Sequence, residues 1–147
     1  VDDSQTQAAG VVTVFIAGEE STADEYEASD VQTALNARTH GVPFVVVPAT
    51  AQPIDFIGDV YLKPGYTSGE VSPKVDAAIG ALIASLPIGG TTLPALANKV
   101  LRDDIDNAIR DVEGVRHVAL TDPSGDVTLS YNEVATVGTI SLDYTAT

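Results

Sequence analysis

The chain has 147 residues, 44% of them hydrophobic, and contains no Cys, Met or Trp. At that length one domain or two small lobes can bury roughly 68–70% of the unfolded surface, enough for a core without staples. Twenty-one Asp and Glu face seven Lys and Arg, a formal net charge of −14, and no basic stripe is present to meet nucleic-acid phosphates.

Without Cys there is neither a disulfide framework nor thiolate chemistry. No apolar run approaches the ~18 residues of a membrane span. No basic segment precedes the first apolar run, so no secretory signal is visible. The chain starts at Val1 rather than Met, which reads as a processed chain or a piece of a longer protein. Its lysines are Lys63, Lys74 and Lys99. So acidic and Lys-poor a surface repels itself at low salt, but at molar salt the Debye length is about 3 Å and the repulsion is screened. The composition predicts a halophilic source.

Residues 1–10 are small and polar and read as a linker or disordered lead. A strand follows over Val11–Ala17. After an acidic stretch, Ser29 or Asp30 is positioned to cap a helix running to about Ala37, with Val31, Ala34 and Leu35 on one face. Gly41 is placed to stop it. The next strand lies within Val42–Ala51. Pro43, Pro48 and Pro53 cannot donate to a ladder, which puts this strand at an edge or ends it at Pro48. In "IDFIGDVYL" the residues Ile54, Phe56, Val60 and Leu62 alternate with Asp55, Asp59, Tyr61 and Lys63, the pattern of a sheet with one covered and one wet face.

"KPGYTSGE" reads as a turn. Val71, Val75, Ile79, Leu82, Ile83 and Leu86 then fall at helical spacing, with Ser72 as N-cap and Pro73 as the first helical residue. A third helix is predicted from near Pro94 toward Asp111, with "RDDID" (Arg102–Asp106) as the place to kink or split it and Gly114 as its stop. The tail is β: Val115–Thr121, a turn at Asp122–Gly125, Asp126–Ser130, a turn at Asn132–Glu133, and Val137–Thr145. The order β-α-β-β-α-α-β-β-β predicts an α+β fold, a two-layer sandwich of mixed sheet with helices on one face. It divides into the lead 1–10, a β-α-β lobe 11–53 and a β-α-α-β-β-β lobe 54–147.

The sequence marks no catalytic, cofactor-binding or metal-binding residue. His40 falls in a helix-exit turn and His117 in mid-strand, too far apart to suggest a metal site, which needs several convergent ligands. Asp103, Asp104, Asp106 and Asp111 lack the alternation and central Gly of a Ca²⁺ loop and read as a solvated helix face. No Ser lies in a G-x-S-x-G elbow. "LPIGGTT" invites a phosphate-loop reading, but a helix rather than a strand precedes it and no Lys comes until Lys99. Gly89–Gly90 therefore reads as an elbow between two helices.

"PGYTSGEVSPKVDAAIGALIASLPIGGTTLPAL" (Pro64–Leu96) resembles the C-terminal part of the baseplate J family of contractile phage tails and tail-like injection systems. "GVVTVFIAG", "VQTALNARTHGVPFVVVPATAQPIDF" (Val31–Phe56) and "VEGVRHVALTDPSGDVTLSYNEVATVGTISL" (Val112–Leu142) resemble its other segments, so the likeness spans about residues 10–143. "RDDIDNAIRD" makes the third helix longer than the family pattern, and nothing resembles the family's N-terminal region. The resemblance implies a structural baseplate wedge component of a virion or tail-like particle, assembled in the cytoplasm. Its implied partners are other baseplate wedge and tail proteins, with a homo-oligomer or ring in the particle and neither nucleic acid nor membrane. It implies no catalytic residue, cofactor or metal. Two other readings stand beside it. One is a small-molecule-binding regulatory domain of ferredoxin-like type, which would need a concave apolar pocket. The other is a lysin using two carboxylates, one with a raised pKa.

Overall fold

The computed structural model describes residues 11–17, 25–38 and 44–147. The predicted lead 1–10, His40, Gly41 and Pro43 lie outside the described residues. The elements run β1 (Val12–Ile16), α1 (Glu25–Arg38), β2 (Phe44–Pro48), β3 (Thr50–Leu62), α2 (Ser68–Ser85), β4 (Lys99–Val100), α3 (Arg102–Arg110), β5 (Val115–Asp122), β6 (Val127–Thr128) and β7 (Glu133–Ala146). This is the α+β architecture the sequence predicts.

The central sheet is mixed, in the order β5-β3-β7. β3 is antiparallel to β5 and parallel to β7. Alternation along β3 drives this arrangement, because Ile54, Phe56, Val60 and Leu62 are buried while Asp55, Asp59 and Lys63 are exposed. The covered face packs under α2 and α3. Val71, Val75, Ile79 and Ile83, one turn apart along α2, join Ile105 and Ile109 of α3 and Val115, Val118 and Leu120 of β5 in a single core. Burying an aliphatic side chain of this size contributes roughly 1.5–3 kcal/mol, so this stripe is what fixes α2 on the sheet.

Several boundaries differ from the sequence reading. α1 begins at Glu25, and Ser29 and Asp30 lie inside it. Their neighbours bond along the helix, Thr33 Oγ1 to Ser29 O and Gln32 Nε2 to Asn36 Oδ1, so these polar residues face solvent in the helix body instead of capping it. α2 begins four residues before Ser72, at Ser68, with Pro73 within it. The start signal is Thr67-x-x-Glu70: the Glu70 carboxylate accepts from the Thr67 amide at 3.1 Å and from its hydroxyl at 2.8 Å. Such a reach-back satisfies a helix-end donor.

The third helix shows the largest difference. Residues 94–98 form turns rather than the first helical turns of a long helix, and α3 covers only Arg102–Arg110. Asn98 adopts φ 62°, a left-handed conformation incompatible with helix continuation. Val100 then enters β4, opposite Val127 of β6. "RDDID" is thus the opening of α3. β2 ends at Pro48 as predicted, and among the described residues it pairs with β1 alone, in parallel. Pro53 falls inside β3, before the pairing with β5 begins at Ile57, so its missing N–H removes no bond to β5.

Candidate assembly surface

The joints around the central sheet are built from the most recognisable sequence stretches. Tyr66 of "PGY" places its ring over Gly114, where an added methyl would sit 2.6 Å from the ring. Its hydroxyl donates to Glu113 Oε1 at 3.1 Å, and Lys74 reaches the other oxygen of that carboxylate at 3.5 Å. The Glu113 carboxylate bonded to the phenol, and its charge, raise the Tyr66 pKa above its ordinary value. The start of α2 is thereby tied to the α3–β5 turn.

The double glycine forms a second joint. Gly89 and Gly90 are buried at φ 80° and 78°. The Gly89 amide donates to Glu133 O at 2.7 Å, the Gly90 amide to Pro87 O at 3.0 Å, and the Thr91 amide to Lys99 O at 2.8 Å. A phosphate cradle needs such amides free and convergent, and here each already has a carbonyl. The elbow leads from α2 into a loop held between the start of β7 and β4. It does not set one helix directly against the next, because residues 94–98 are not helical.

The third joint centres on Arg102. Its guanidinium donates to Asp106 Oδ1 at 3.3 Å, to Leu120 O at 3.0 Å and to Pro123 O. Its backbone amide donates to Asp126 Oδ1 at 3.1 Å, and Lys99 lies 3.4 Å from Asp126 Oδ2. The amide of Arg102, followed by the Lys99 ammonium, holds the Asp126 carboxyl below its usual range.

None of the four α3-region aspartates converges with others. Asp103, Asp104 and Asp111 are exposed, and Asp106 is paired with Arg102. Among the described residues no group of three or more His, Asp or Glu is placed to hold a metal ion. His117 lies exposed on β5 with its ring 5.8 Å from that of Tyr61. Among the described residues no helix is long and apolar enough to cross a membrane.

The surface offers sheet edges and scattered apolar side chains instead. Val11, Val12, Val45, Ile57, Leu93, Tyr131 and Val137 are large hydrophobics that remain exposed. The Tyr131 ring stands edge-on to Phe15 of β1 at 5.6 Å. The edges differ in how they are guarded. On β2 the Val46 amide donates to Gln32 Oε1 of α1 at 2.8 Å. On β5 the Leu120 carbonyl is taken by Arg102. β7 forms the opposite edge of the central sheet. Which edge is open depends on the pairing partners.

Comparison with known proteins places these joints in a family. No curated protein matches the chain. Residues 54–143 match the family described as Baseplate J-like protein C-terminal domain. The span runs from Ile54 in β3 to Asp143 in β7 and takes in the Tyr66, Gly89–Gly90 and Arg102 joints, while the likeness read in residues 10–53 lies outside it. With more than half of its 147 residues matched, the chain belongs to the Baseplate J-like C-terminal domain family.

Proposed function

We propose that this chain is a structural wedge component of the baseplate of a contractile tail or tail-like particle and works by binding its protein neighbours. The observation that carries this reading is the family match over residues 54–143. It is supported by the way the family-like stretches are spent on joints of the fold: their polar groups bond to one another and to backbone, as at Glu113, Asp126 and the Gly89–Thr91 amides. The role is non-catalytic, in a virion or an injection particle assembled in the cytoplasm, with the chain's two lobes, 11–53 and 54–147, repeated around a ring. The charge of −14 supports a halophilic, haloarchaeal setting, either a tailed virus or provirus or a contractile injection system.

The test is co-assembly. The full gene product, tagged and expressed in molar salt with the sheath, tube and spike proteins encoded beside it, is expected to sediment with the particles and cross-link to wedge neighbours. A gene product that remains a free monomer and never enters particles overturns the reading.

A further inference from the structure

We infer that the outer edge of β7, over residues 137–146, is a docking site for an extended, basic and amphipathic strand of a partner protein. Among the described residues no strand pairs with this side of β7; Gln32 and Arg102 occupy groups on β2 and β5, and on β7 the Thr139 amide is taken by Asp55 Oδ1 at 2.7 Å. The segment "VGTISLDYTA" contains no Lys, Arg or Pro, the residues that ordinarily blunt an open edge. Its side chains alternate, Val137, Thr139, Ser141, Asp143 and Thr145 exposed, Ile140, Leu142 and Tyr144 half-buried against the core. An added strand takes up the row of backbone donors and acceptors and completes the cover of the half-buried side chains.

Charge selects the occupant. Asp143 stands directly opposite Asp59 of β3 in the parallel register, both exposed. Among the described residues neither carboxylate takes part in an ion pair. Like charges directly opposite each other destabilise a strand pair, and a lysine or arginine on the next strand relieves that repulsion. A second copy of this chain would bring another −14 to the edge and oppose docking at low salt. The fitting strand therefore alternates apolar residues toward the helix layer with basic residues toward the open face.

This inference deepens the assembly reading and is tested apart from it. A ten-residue synthetic peptide alternating valine with lysine and threonine is titrated into the chain in 0.1 M salt, beside its glutamate counterpart. The lysine peptide is expected to bind at least tenfold more tightly and to slow amide exchange over 137–146. Asp143→Lys is expected to weaken it at least tenfold, while Asp103→Lys, on the exposed start of α3, changes it less than twofold. Equal weakening by the two substitutions, unchanged exchange over 137–146, or dimers that protect these amides without peptide overturns the inference. Any of those results leaves particle co-assembly standing, and failure of co-assembly leaves peptide binding standing.

Discussion

Gly89 and Gly90 have nearly the same backbone angles, φ 80° and 78°, yet their surroundings predict unequal costs of substitution. A methyl at either position is held in the left-handed region, at roughly 1–2 kcal/mol for a non-glycine residue. At Gly89 that is nearly the whole cost, since the nearest atoms to an added Cβ are Tyr131 Cα at 3.5 Å and Tyr131 O at 3.6 Å, ordinary contacts. At Gly90 the same methyl meets Lys99 O at 2.7 Å and Lys99 N at 2.9 Å. These are backbone atoms of β4, and Lys99 O is also the acceptor for Thr91. The clash must push β4 away, adding overpacking of about 1–3 kcal/mol and a lost hydrogen bond of about 1 kcal/mol. Gly89→Ala is therefore expected to cost ~1–2 kcal/mol and Gly90→Ala ~3–6 kcal/mol. The assay is urea unfolding at fixed molar salt, with the two midpoints compared at a common slope. Equal losses, or a larger loss at Gly89, would refute the argument that β4 contact rather than φ alone makes the second glycine necessary.

Arg102→Ala strips partners from Asp106, Leu120 O and Pro123 O and is expected to cost ~2–3 kcal/mol. Arg102→Lys recovers less than half, because a single ammonium cannot span three acceptors; full recovery by Lys in thermal unfolding counts against the joint. The Thr67 hydroxyl, then its backbone amide, lower the Glu70 pKa. The native carboxylate thus stabilises the fold above its unfolded pKa of about 4.3, and that contribution disappears as pH falls through the depressed native value. The melting-temperature gap between wild type and Glu70→Gln is expected to hold at neutral pH and close in acid; a gap that widens in acid contradicts the bond. With −14 on the chain, the melting temperature is expected to rise from 0.1 M to 1 M NaCl, as the Debye length falls from about 10 Å to about 3 Å. A flat or falling melting curve would mean that self-repulsion does not limit stability.

The residue pattern alone determined the elements whose local period and burial agree. β3 is legible because Ile54 through Leu62 alternate and the sheet buries one face, and α2 because Val71, Val75, Ile79 and Ile83 recur at the pitch of the helix that covers it. β5 and the later part of β7 follow from apolar runs bounded by turns, whereas β7 begins at Glu133, four residues before the strand read at Val137, where it pairs with the start of β3. The start of α2 was also within reach, since Thr67-x-x-Glu70 is a capping pattern, but Ser72-Pro73 offered a competing start. The stretch from Leu93 to Leu101 carries helix-spaced apolar residues, yet long-range contacts govern it: Leu129 N to Asn98 O, and Val100 opposite Val127. No local period encodes a partner nearly thirty residues away. The same holds for the surface. The sequence supplies the acidic charge and a β7 without basic residues or proline. Only tertiary pairing decides that β7 ends the sheet and that Asp143 faces Asp59, because strand order and register are properties of two segments together and of neither alone.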